Sequence, residues 1–146
     1  MEESKLCIEV LKKFLIGRFM TSFLFNQFFT LEFYKDQNTQ SDAVYIQLQI
    51  LGDWWFGNKH EWDTKVNKYG KGVEPEEPIL AYELALLRWS DGSNIVDIVD
   101  QIDNIAILLE NKNTIHISKK SYEDEYAFVL LNKDNNDTII SCFYNM

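Results

Sequence analysis

The stretch Phe19-Met-Thr-Ser-Phe-Leu-Phe-Asn-Gln-Phe-Phe-Thr-Leu-Glu-Phe33 decides the fold class. Phe19, Thr21, Phe23 and Phe25 alternate with Met20, Ser22 and Leu24, and Phe29, Leu31 and Phe33 repeat at the same interval. Side chains of a strand alternate between two faces, so a period of two belongs to β-structure. Asn26-Gln27 between the two runs reads as the turn of a β-hairpin. Downstream, past a polar loop from Lys35 to Asp42, Val44, Ile46, Leu48 and Ile50 alternate with Tyr45, Gln47 and Gln49. That is a third strand with one wet face.

Upstream the period changes. Leu6, Cys7, Val10, Leu11 and Phe14 fall on one side of a helix that Ser4 can cap and Gly17 can stop. Residues 52–78 are the least regular part. Gly52-Asp53-Trp54-Trp55-Phe56-Gly57 sets three aromatics between two glycines, His60 and Trp62 follow, and Gly70-Lys71-Gly72 and Pro75-Glu76-Glu77-Pro78 punctuate what comes next. This reads as a long loop with some short structure, a length at which loops are often functional. Pro78 suits the first turn of a helix through Trp89, apolar enough around its circumference to pack on the sheet. The remainder reads as a β-meander over Ile95–Val99, Ile105–Leu109, Thr114–Ser118, Tyr126–Leu131 and Thr138–Tyr144, with turns at Asn111-Lys112-Asn113 and Asp134-Asn135-Asn136-Asp137.

The expectation is an α+β chain forming one domain over residues 1–146. It has a mostly antiparallel sheet of about seven to eight strands, an N-terminal helix and one central packed helix. A weak internal echo sets Phe29, Leu31 and Phe33 against Ile105, Ile107 and Leu109, 76 positions on, as if residues 17–51 and 93–131 were two related three-stranded units.

Charge narrows the function classes. There are 14 Lys and Arg against 23 Asp and Glu, a net charge of -9, which argues against nucleic-acid binding and against an anionic membrane surface. Residues 91–146 carry ten acids and four bases, so -6 of the -9 lies there, a field able to steer a basic partner. No apolar run reaches the length of about 18 residues that a membrane span needs. Met1-Glu2-Glu3-Ser4 is acidic where a secretory leader is basic. Cys7 and Cys142 are the only cysteines; both sit among apolar neighbours, and two thiols read as core residues of a protein in a reducing compartment.

Catalytic chemistry finds no foothold. His116 alternates with Ile115 and Ile117 and so points away from them, while His60 lies in the irregular segment. No nucleophile, base and orienting group are set at a recognisable spacing. No metal-ligand spacing, calcium loop or phosphate loop occurs, and no cofactor is implied. What remains are surfaces. Asp97, Asp100 and Asp103 recur every three residues and read as a solvated strand edge ahead of a metal or substrate site, and as candidate contacts for a basic partner. Tyr122, Glu123, Asp124 and Glu125 put acids beside tyrosines, a composition suited to a basic protein site. Trp54 and Trp55 are consecutive, so on a strand they face opposite ways: one is core and the other, taken here as Trp55, is a candidate anchor for a partner.

The order of these features resembles a known class. A short helix runs into Leu15-Ile16-Gly17-Arg18, then come a hairpin, a polar-faced strand and a Trp-rich turn. Later come Asn104 to Glu110, the Asn111-Lys112-Asn113 turn, Thr114 to Ser118 and an acidic segment before a last hairpin. This is similar to the small α+β immunity proteins that accompany bacterial contact-dependent and polymorphic toxins. The resemblance implies a cytoplasmic protein that binds and blocks a cognate toxin domain, often a nuclease with a basic active site; the absence of a catalytic motif separately points away from an enzyme, and monomer and homodimer both stay open. It transfers no binding residues. The alternative is a small-molecule binder or minor enzyme with a pocket lined by residues 54–62.

Overall fold

The computed structural model describes residues 2–25, 29–35, 43–69, 94–120 and 126–144. The chain is α+β and mostly strand. Helix α1 (Glu2–Leu15) is followed by β1 (Phe19–Phe25), β2 (Phe29–Tyr34), β3 (Tyr45–Ile50), β4 (Trp54–Phe56) and helix α2 (Lys59–Tyr69). Then come β5 (Ile95–Asp100), β6 (Asn104–Leu109), β7 (Thr114–Ser118), β8 (Phe128–Asn132) and β9 (Asp137–Cys142). The turn expected at Asn26-Gln27, the helix expected after Pro78 and the Tyr122–Glu125 surface lie outside the described residues.

The strands form two antiparallel sheets, ordered β1-β2-β3-β8-β9 and β4-β7-β6-β5. Each is built on a three-stranded meander, β1-β2-β3 or β5-β6-β7; the hairpin β8-β9 extends the first and β4 the second, each taken from behind the other meander. The chain leaves β3, crosses, and lays β4 against β7; it leaves β7, crosses back, and lays β8 against β3. At the crossing the Leu51 amide donates to Ala127 O at 3.1 Å and the Ser118 amide to Asp53 O at 3.0 Å. Gly52 lets the two crossovers approach, because a Cβ there would stand 3.2 Å from Lys120 O. At the opposite corner Phe19 bridges Asn94, and Arg18 and Ile95 share a backbone hydrogen bond of 2.8 Å.

The inward faces meet in one apolar core. The triplet Phe29, Leu31, Phe33 of β2 and the triplet Ile105, Ile107, Leu109 of β6 are buried in it together with Ile46, Leu48, Ile50, Ile115 and Ile117. Two features depart from simple alternation. A β-bulge at Thr21 shifts the register, pairing Met20 with Phe33 and then Ser22 with Glu32. Met20 and Phe23 therefore pack on the core, and Phe19 stands outside against Tyr34, contrary to the expected common face of Phe19, Thr21, Phe23 and Phe25. Helix α1 buries Cys7, Ile8, Leu11 and Leu15 and leaves Leu6 exposed, a stripe rotated by about one position from the expected one. It ends at Gly17, whose φ of 92° suits glycine, with Lys12 and Lys13 in its last turn at the negative end of the dipole.

Arg18, at the α1–β1 junction, is fully buried and donates to the carbonyls of Phe14, Ala43 and Val44. Burial pulls its pKa down to about 10 against the opposing field of Asp134, so it stays charged near neutral pH. The two cysteines are core residues as expected, but they are not free thiols: Cys7 of α1 and Cys142 of β9 are joined as a disulfide. The expectation of two separate thiols failed because residues 135 positions apart meet only once the last strand returns beside the first helix. Among the described residues no helix is long and apolar enough to cross a membrane.

Candidate functional site

The segment expected to be a loop carries β4 and α2. Strand β4 is short, so its three aromatics divide between faces. Trp54 points inward, stacked at 3.9 Å on Phe29 and 5.2 Å from Trp62 of α2. Asn58 caps α2 by accepting the Glu61 amide through its side chain. Trp55 points outward, yet it is only 7% exposed: its ring lies flat on His116 at 5.0 Å, and Lys59 Nζ sits 4.9 Å from its centroid. His60 is exposed on α2 and apart from this cluster.

Register then places the rest. Trp55, His116, Ala106 and Val99 form one row across the outer face of the four-stranded sheet. Asn104, one alternation away, lies 2.9 Å from His116 Nδ1 through its Oδ1, and its Nδ2 donates to Asp103 Oδ1 at 2.7 Å. A carboxylate only accepts, so the amide nitrogen faces Asp103, the amide oxygen faces the ring, and Nδ1 carries the hydrogen. Burial lowers the His116 pKa, partly opposed by Asp103, and the ring is neutral at neutral pH. Beside this chain lies a groove of about 320 Å³ walled by Trp55, Lys59, Asp103, Ser118 and Lys120.

The acids sit at the sheet's edge. Asp97 lies opposite Leu108 and Asp100 opposite Ile105, so the two do not share a face, while Asp103 lies in the turn into β6. All three are exposed, and each is held through one oxygen by a donor of the chain. The Ile98 amide donates to Asp97 Oδ1 at 2.8 Å, Lys119 Nζ stands 2.5 Å from Asp100 Oδ1, and Asn104 Nδ2 holds Asp103 Oδ1. Among the described residues no donor meets their Oδ2 atoms. Between the acids, Val96, Val99 and Ile102 are 48%, 36% and 92% exposed. A bulge at Val96 and the Asp97 contact to the Ile98 amide disrupt the outer hydrogen-bonding edge of β5, which blunts pairing with another strand.

The structure thus brings Trp55 and Asp103 to one groove and sets Asp97 and Asp100 along the adjoining edge. Three features escaped the sequence reading: the Asp103–Asn104–His116 chain, the Lys119 partner of Asp100, and the exposed aliphatics. Ile102 carried a signal, an apolar residue inside the polar run Asp100-Gln101-Ile102-Asp103. The chain from Asp103 to His116 carried none, because it needs the β6–β7 register. Among the described residues no group of three or more His, Cys, Asp or Glu is arranged to hold a metal ion.

Fold and surface together define a two-sheet α+β protein with exchanged strands and one acidic, aliphatic-studded edge. Comparison with family models, curated proteins and solved structures gives no match, so the functional argument rests on this geometry.

Proposed function

We propose that the chain is an immunity- or antitoxin-type protein that binds a basic protein toxin and occludes its active site. The observation that carries this reading is the β5 edge. Three braced carboxylates with outward oxygens alternate with exposed Val96, Val99 and Ile102. Braced acids lose little conformational freedom when a partner's Lys or Arg arrives, and exposed aliphatics at the same edge supply burial. The net charge of -9 favours encounter with a basic surface. A nuclease toxin must bind phosphates, so an acidic edge competes for the same cations.

The test is co-expression with the product of the neighbouring gene in a bacterial host, scored by growth rescue, followed by association kinetics. The on-rate should fall about tenfold or more between low and high salt. Ile102→Ser should raise the off-rate about tenfold. Rescue with a salt-independent on-rate, and no effect of Ile102, would move the contact elsewhere. A second reading, a small-molecule binder, has the volume of the Trp55 groove in its favour, near the lower end for ligand pockets. Since His116 stacks on the Trp55 ring and Lys59 Nζ lies over it, such a ligand would share the ring with these two side chains.

A further inference from the structure

The disulfide joins the second turn of α1 to the end of β9, and its two cysteines differ in what they line. Cys142 is fully buried, paired in register with Phe128. Cys7 is 5% exposed and forms part of the wall of a groove of about 310 Å³, completed by Leu6, Tyr126, Ile140, Ser141 and Phe143. Leu6, Tyr126 and Phe143 are exposed at the rim, so this wall is largely apolar and open to solvent. Thiol–disulfide exchange needs a thiolate to reach one sulfur while the other departs, so access decides which sulfur is attacked. The groove reaches Cys7; Cys142 does not line it.

We propose that Cys7 is a thiol-exchange site, and that a small thiol with an apolar body, seated in this groove, opens the tie between α1 and β9. The thiolate forms a bond to Cys7 Sγ. The Cys7–Cys142 bond breaks with its electron pair on Cys142, which takes up a proton because apolar surroundings disfavour the thiolate. A second thiolate attacks the mixed disulfide at the ligand sulfur, releasing Cys7 as thiolate and leaving the two external thiols joined to each other. The sum is a two-electron reduction with the external thiol as reductant. Cleavage leaves α1 docked through Leu11 and Leu15, both fully buried, and frees the turn carrying Leu6 and Cys7 from β9. The tie is therefore a lock on the first half of one helix and on the edge of the five-stranded sheet.

The experiment treats the oxidised full-length chain with benzyl mercaptan or with 2-mercaptoethanol at equal thiolate concentration under folding conditions. The reaction is quenched with iodoacetamide, and the cysteine peptides are mapped by mass. The first product should carry the mercaptan on Cys7 and the alkyl group on Cys142, and benzyl mercaptan should react about tenfold faster through its apolar contact. Leu6→Ser, at an exposed position, should erase most of that advantage without changing the 2-mercaptoethanol rate. Hydrogen exchange after full reduction should rise more over residues 5–10 than at Leu11 and Leu15. The proposal is overturned by two free thiols in the untreated chain, by adducts divided evenly or found on Cys142, or by equal rates for the two mercaptans. Cleavage no faster than global unfolding, or an equal rise in exchange over both halves of α1, overturns it as well.

Discussion

Both sheets turn a polar stripe outward, and the two stripes differ in what they leave unoccupied. On the five-stranded sheet Glu32 accepts from the Ser22 hydroxyl, from the Tyr45 hydroxyl and from Gln47 Nε2 at 3.1 Å, while Gln49 donates to Gln47 Oε1 at 3.1 Å. Thr30 and Gln47 in this stripe are buried. On the four-stranded sheet the polar chain ends in Asp97, Asp100 and Asp103, each exposed and, among the described residues, each holding a donor through one oxygen. A network closed on itself stabilises the fold it belongs to, because every member would be costly to leave unpaired. A network that ends in open acceptors at a solvent edge contributes little to stability and fits the partner reading. The contrast can be tested, and the tests fall in order of size.

The largest effect belongs to the element both sheets share. Helix α1 packs on β5 and β9, and its disulfide closes a separation of 135 residues. A loop of that length implies stabilisation of about 5 kcal/mol in the chain-entropy account. Replacing both cysteines by Ser should lower the denaturant midpoint by the corresponding amount with the slope little changed. A loss under about 1 kcal/mol would mean that Ile8, Leu11 and Leu15 hold α1 unaided.

Next is the closed network. Glu32→Ala removes the common acceptor of Ser22, Tyr45 and Gln47, leaving the Ser22–Tyr45 hydroxyl contact and an unpaired Gln47 amide hydrogen, at a cost of about 2–3 kcal/mol in equilibrium unfolding. A cost near zero would place this stripe in the same class as the acidic edge. The network also marks the limit of what the sequence could say. The strands themselves were legible: Thr114–Ser118 is β7 as read, and β5, β6, β8 and β9 lie within two residues of expectation, because alternation fixes a face without knowledge of a partner. Glu32 was visible only as a lone acid among Phe29, Leu31 and Phe33. Its partners come from β1 and β3, and the bulge at Thr21 that brings Ser22 opposite it leaves no mark on a period-two pattern. Strand β4 and α2 were hidden for a different reason. Three aromatics between glycines carry no period, and the exchange of β4 into the other sheet is a long-range event. The acids of the site were legible as exposed charge; their bracing by Asn104 and Lys119 was not, since it depends on register.

Titration separates the two stripes further. Burial lowers the His116 pKa from 6.5, with Asp103 opposing, so the unfolded chain takes up that proton first as pH falls. The His116 contribution is complete above about pH 6.5 and is lost as pH drops toward the folded value. For Glu32, burial alone would raise the pKa. The hydrogen bonds from Ser22, Tyr45 and Gln47 and the field of Lys133 outweigh it, and the net shift is downward from 4.5. Its contribution is complete above about pH 4.5 and lost only below. Stability measured against pH should therefore fall in two windows. His116→Gln should flatten the upper one and Glu32→Gln the lower. A single window that both substitutions move alike would show the stripes to be coupled through the core.

The smallest effect on stability, and the sharpest on the comparison, belongs to the open acids. Asparagine at position 97 or 103 keeps an oxygen in place of Oδ1, so the Ile98 amide and Asn104 Nδ2 retain their acceptor while the charge is lost. Asp97→Asn with Asp103→Asn should change unfolding free energy by no more than about 0.5 kcal/mol, the scale of exposed charges. Asp103 is the one member whose charge reaches inward, since it raises the His116 pKa against burial. Removing that charge should depress the pKa further and extend the upper acid window to lower pH, while Asp97→Asn alone leaves it unmoved. If instead the double variant loses as much stability as Glu32→Ala, the β5 acids are structural in the same sense as the closed network. The edge then has no unoccupied acceptors to offer a partner.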